Sequence, residues 1–306
     1  MSFNFYIMLP SFTDKFSTIK ISTYFFLIAI ILLSSQKNLT AQISNGELAA
    51  YNIGLGGIGA GIGAVINKKP NEKTGNVFLK GLWRGGLGGA LIFGSKKIIN
   101  EIEINERLEY SWPAKFVNAA GVSIIEDAAA NRPFGSQWNL HIGFNRIEFH
   151  TSDKFRVRYK VLPASLGFTV AAAYNTTPEW GMMLKSGEIF FSTKSRDGVP
   201  NRGGVALGNI IILSKNLDLK YIVIAHEIIH TYQYNDYNFT STYFNKSLKE
   251  WSDNSKTYNK INKWVHWDTQ APILRGLYLI EEINTKTKFD NFFEYEAQYF
   301  ANKSRL

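Results

Sequence analysis

Cysteine is missing from this 306-residue chain. That absence excludes a disulfide framework, a thiolate-ligated zinc or iron–sulfur centre, a cysteine nucleophile and a lipidated cysteine. Histidine is scarce: five in all, at 141, 150, 226, 230 and 266. No Gly-x-x-x-x-Gly-Lys-Ser/Thr run occurs, so there is no phosphate loop. Nothing repeats apart from some paired glycines. Against these absences stand 45% hydrophobic and 14% aromatic residues, which exclude a globally disordered chain. The formal net charge of +9 favours anionic partners without naming one, and no motif points to nucleic acid.

Residues 21–35 carry no charge and follow Lys15 and Lys20. The run is short for a membrane span and suits the apolar region of a secretory signal. Residues 1–41 are therefore expected to be a signal peptide cut after Ala41, with an uncleaved anchor as the alternative. Either way the chain is expected to be exported. The segment holds Lys15, Lys20 and Lys37 against Asp14, so the remainder keeps +7.

A glycine-rich region follows, assigned to 42–100. Residues 49–66 are uncharged, residues 67–73 form a polar turn containing Pro70, and a second glycine-rich stretch runs from Leu82 to Ser95. Gly57 and Gly61, Gly59 and Gly63, and Gly85 and Gly89 are spaced by four. That spacing puts each pair on one helix face and lets two backbones approach closely. The expectation is a helical hairpin that needs cover, from the rest of the protein or from a membrane reached through residues 49–95. Lys80 and Arg84 argue against a clean double span. Gly54-x-Gly56-x-x-Gly59 also matches a dinucleotide fingerprint, but Gly46-Glu47-Leu48-Ala49-Ala50 before it does not read as a strand.

In the middle of the chain, residues 154–161 alternate strictly. Phe155, Val157, Tyr159 and Val161 share one side and are predicted to face the core, with the basic residues in solvent. Further strands are expected at 141–150, 167–174, 187–193 and 206–213. Mainly antiparallel strands followed by helices predict an α+β fold.

The chemistry is carried by His226-Glu227-Ile228-Ile229-His230, within a stretch free of Pro and Gly from Lys215 to Phe239. On a helix, residues i and i+4 lie one turn apart, so both imidazoles can ligate one Zn²⁺. Glu227 stands beside them, placed to take a proton from a metal-bound water. Asn216 is the expected N-cap of this helix. Two ordinary histidines on an amphipathic helix are the plainer alternative, but apolar Ile222, Ala225 and Ile229 make that helix partly buried.

Through His226-Glu227-Ile228-Ile229-His230 the chain resembles the zincin metallopeptidases, over at most about the last 90 residues, from Gly208 onward. The resemblance implies a zincin-like domain, assigned to 101–306, with a strand before the helix that pairs with a peptide or protein substrate. Phe293-Glu294-Tyr295-Glu296-Ala297-Gln298 is similar to the gluzincin Glu-x-x-Ala-Asp helix, which implies Glu294 as third metal ligand and Gln298 where the family has an orienting Asp. Glu296 is the alternative within that segment. Asp236 falls at the last position of a metzincin pattern, but Gln233 replaces the turning glycine. His266 is a further candidate ligand, and Tyr232 and Tyr234 are candidate oxyanion stabilisers. The resulting expectation is an exported zinc hydrolase of gluzincin type, most simply a peptidase. Its rival is an envelope-associated protein in which the zincin-like part is a scaffold and the hairpin packs on membrane or partner helices.

Overall fold

The computed structural model describes residues 44–194, 203–215, 221–285 and 291–301. Residues 1–41, the expected Asn216 cap and residues 195–202 lie outside them. The order of elements is α1 (Asn45–Ile66), α2 (Thr74–Asn105), α3 (Ser111–Ala129), β1 (Gln137–Ile142), β2 (Asn145–His150), β3 (Arg156–Val161), α4 (Pro163–Asn175), β4 (Thr176–Pro178), α5 (Trp180–Ser186), β5 (Ile189–Thr193), β6 (Gly204–Leu207), β7 (Ile210–Leu213), α6 (Tyr221–Asp236), α7 (Asn245–Asn254), α8 (Lys256–Trp264), α9 (Gln270–Asn284) and α10 (Phe292–Ala301). The fold is α+β, with long helices and two small sheets.

Helix α1 starts at a capping box, in which Ser44 Oγ accepts from the Glu47 amide and the Glu47 carboxylate accepts from the Ser44 amide. It is long and apolar enough to cross a bilayer by length and composition. It nonetheless packs on α2 and α3 through glycines. A Cβ at Gly85 would lie 2.1 Å from the Gly56 carbonyl oxygen, and one at Gly88 would lie 2.6 Å from that of Gly121. Backbone therefore touches backbone across both contacts. Phe239 and Tyr243, beyond α6, press on Gly59 and Gly63. The protein itself thus supplies much of the cover this hairpin requires. Helix α2 runs on past residue 100, and Ser44–Leu306 form one compact unit.

The first sheet is an antiparallel meander, β1-β2-β3. The segment expected as one strand over 141–150 is the hairpin of β1 and β2, folded at Gly143, whose φ of +57° suits glycine. The orientation of β3 corrects the apolar half of the alternation argument, while Arg156 and Arg158 stay exposed as expected. Arg156, Arg158 and Lys160 share a face with buried Glu148 and Arg146, and that face turns toward α3. Phe155 is 69% and Val157 54% exposed. The reason is Glu126 of α3, which is buried and takes both Arg146 Nη1 (3.0 Å) and Nη2 (2.7 Å). Charge on the helix draws the charged face of the sheet inward, because buried ions must be paired.

The second sheet has the order β4-β5-β7-β6 and is mixed, with β5 and β7 parallel. Here the single strand expected over 206–213 is the β6–β7 hairpin, turned at Gly208. Residues 167–174, expected as a strand, lie in α4. Pro163 at its start and Ala171-Ala172-Ala173 within it favour helix over the β-branched and aromatic residues between them.

Candidate metal centre

Helix α6 carries His226 and His230 on one face. Helix α10 brings Glu294 to them from its first turn. Asn291 caps α10 by accepting from the Phe293 amide at 3.0 Å. Phe293, Ala297, Phe300 and Ala301 are buried, as are Ala225, Ile228 and Ile229 of α6. These apolar faces hold α6 and α10 in place.

The three donor atoms converge. His226 Nε2 is 3.0 Å from His230 Nε2 and 3.2 Å from Glu294 Oε2, and His230 Nε2 is 3.8 Å from the same oxygen. Donors held tetrahedrally at about 2.0–2.1 Å from a zinc ion would stand about 3.3 Å apart. The spacing fits, and the group could hold a metal ion. Asp236 and Glu296 are elsewhere. Both bind Lys96 Nζ, at 2.6 and 2.9 Å.

The surroundings orient the donors. Tyr278 of α9 donates to Glu294 Oε1 at 2.7 Å, leaving Oε2 toward the histidines. His230 Nδ1 lies 2.8 Å from Gln233 Oε1. Gln233 in turn donates through Nε2 to the Phe293 carbonyl (2.8 Å) and to Glu296 Oε2 (2.9 Å). That fixes the amide, makes Nδ1 the protonated nitrogen and leaves the Nε2 lone pair for a cation. Gln233 thus does what was expected of Gln298. Burial lowers the pKa of His226, and the neighbouring His230 lowers it further, while the bond to Glu294 opposes both. Burial also acts to lower that of His230, but its bond to Glu294 and the negative charges of Glu227 and Glu294 outweigh it, so the value is raised.

Glu227 is 5% exposed, and its Oε2 is buried without a hydrogen-bond partner among the described residues. Its Cγ lies against Gly204 of β6, where a Cβ would come within 2.8 Å. The missing side chain at 204 therefore makes room for Glu227 beside the edge strand of the second sheet. Sequence reasoning missed Gly204 and Tyr278, which meet the site only through tertiary folding. Gln233 had a signal, three residues after His230 on the same face. Tyr234 donates to Asp268 and Tyr232 is buried; neither hydroxyl bonds to the donor set. The amide of His266 donates to the Val161 carbonyl, beside β3.

No protein-family model, curated protein or solved structure matches this chain.

Proposed function

We propose that the protein is an exported, zinc-dependent hydrolase of zincin type, and that its substrate is a peptide. The observation that carries this reading is the meeting of Glu294 with His226 and His230, beside a buried carboxylate that has an unpaired oxygen. A purely structural site has no use for an unpaired acid next to its ligands, because burying one is costly.

In this proposal His226, His230 and Glu294 hold the ion, with Tyr278 and Gln233 keeping the ligands aimed. A bound Zn²⁺ would supply a water of pKa about 7 and polarise the scissile carbonyl. Glu227 takes the proton from the attacking water and returns it to the leaving amine. Its unpaired Oε2 leaves an acceptor available for that role. Strand β6, at the edge of its sheet and next to Glu227, is the rung against which an extended substrate would lie.

The test is metal content by mass spectrometry of the purified protein beside a His226→Ala/His230→Ala double variant. One zinc per chain, lost in the double variant, is expected. A peptide-library screen with Glu227→Gln should then show turnover reduced by about 10²–10⁴ while the metal stays bound. Absence of bound metal after zinc addition would sink the proposal.

A further inference from the structure

Strand β3 ends the first sheet, and its outer side opens into a groove of about 800 Å³. The far wall is built from α7, α8 and the segment after α8. None of the four residues assigned to the metal centre lines it. Three features of this groove agree.

The first is an open hydrogen-bonding edge. Leu162 donates its amide to Phe144 of the β2 side, whereas the Val161 carbonyl accepts from His266 on the opposite side at 2.9 Å. Inward and outward backbone groups alternate along an antiparallel strand. Val157 and Tyr159 therefore turn their N–H and C=O groups outward, as Val161 does, and both residues line the groove. Among the described residues, the chain after α8 pairs with β3 only at a Val161–Val265 bridge, leaving the preceding rungs open.

The second is charge. Arg132, Arg158, Lys160, Lys249 and Lys263 line the groove, and among the described residues no acidic side chain does. Three of these cations have acidic partners: buried Asp127 for Arg132, buried Glu148 for Lys160, and exposed Asp253, one turn along α7, for Lys249. Arg158 and Lys263 have no ion pair among the described residues. Arg132 Nη2 and His266 Nε2 are buried without a hydrogen-bond partner among the described residues.

The third is the alternation of the strand itself. On one face stand Arg158 and Lys160, on the other exposed Val157 and Tyr159 beside Phe155. A strand laid along this edge would alternate its own side chains between a basic face and an apolar one. A second copy of β3 would set arginine and lysine against arginine and lysine, so self-pairing is disfavoured.

The geometry points to a peptide-binding site at the β3 edge, whose ligand is an extended segment alternating acidic and apolar residues, added as a fourth strand. This site is independent of the metal centre and of the hydrolase reading.

The test uses the full chain and a fluorescein-labelled hexapeptide of alternating Glu and Val, followed by fluorescence anisotropy. A hexapeptide of the same composition with three Glu followed by three Val is the control. Alternating peptide should bind at least about tenfold more tightly than the block peptide, equivalent to about 1.4 kcal/mol. The double variant Arg158→Glu/Lys263→Glu should weaken it by about tenfold or more. Val157→Pro removes one outward N–H without touching the β2 ladder, which an edge strand tolerates. It should weaken binding about tenfold although no charge changes. Unchanged circular dichroism and thermal midpoint show that both variants fold. Equal binding of the two peptides, or wild-type binding by folded Val157→Pro, would overturn strand addition. Displacement of the peptide by inorganic phosphate or by phosphatidylglycerol vesicles would assign the groove to a free anion or a lipid surface and overturn it as well.

Discussion

Lys96 and Glu296 form a fully buried ion pair of 2.9 Å that joins the second helix of the glycine-rich hairpin to the helix carrying Glu294. Lys96 also takes Asp236 and the Asn52 amide oxygen, and Glu296 accepts from Gln233, which bonds to His230. The hairpin therefore supports the proposed metal ligands at one remove. Lys96→Met would leave two buried carboxylates without their cation. It should cost about 3–5 kcal/mol in denaturant unfolding. Metal affinity, measured by competition with a chromophoric chelator, should fall about 10–100-fold as the Gln233 relay loosens.

The same cluster predicts a pH dependence. One ammonium serves two carboxylates, and burial with Glu296 nearby raises the Asp236 pKa to about 6 despite Lys96. The folded state then binds a proton more tightly than the unfolded chain. The associated stability is present at low pH and is lost as pH rises through about 6. Between pH 4.5 and 6.5 the wild type should lose on the order of 2 kcal/mol relative to Asp236→Asn, whose side chain cannot titrate. Urea midpoints of the two proteins across that window check the sign.

Glu294→Gln and Glu296→Gln would separate the proposed ligand from its support. The first should abolish stoichiometric zinc, because Oε2 of Glu294 faces both imidazoles. The second should retain zinc with affinity lowered by about tenfold. Equal metal loss in both would contradict the arrangement.

Glycines within one hairpin should respond in opposite directions. Gly85→Ala places a methyl 2.1 Å from the Gly56 carbonyl and should destabilise by about 3 kcal/mol or more. Gly54→Ala and Gly94→Ala meet nothing within 4 Å, and each should stabilise by about 0.5–1 kcal/mol. Thermal denaturation of the three variants compares them directly.

Local pattern disclosed the parts of this fold that local chemistry determines. The hairpin followed from glycines spaced by four, and the paired histidines from a one-turn spacing on a helix. The orientation of β3 was hidden because alternation says which residues share a face, not which face turns inward. Glu126, thirty residues from β3 in sequence, settled that by pairing with Arg146. Residues 167–174 misled because Phe168, Thr169 and Val170 favour a strand, while Pro163 and the alanine run favour helix. Lys96 gave no local signal at all: its partners lie 140 and 200 residues further on. Glu294 was reachable only through a resemblance, since nothing in sequence brings the last helix back to α6.

The backbone contacts of Gly56 with Gly85, and of Gly88 with Gly121, also bear on how this lineage can change. Hydrophobic positions elsewhere can trade one side chain for another of similar volume. At these four there is no volume to trade, and no neighbouring substitution can restore space that two main chains already fill. Gly54, Gly75 and Gly94 are under no such constraint. A diverged descendant of this chain should thus be recognisable first by the places where it still has no side chain.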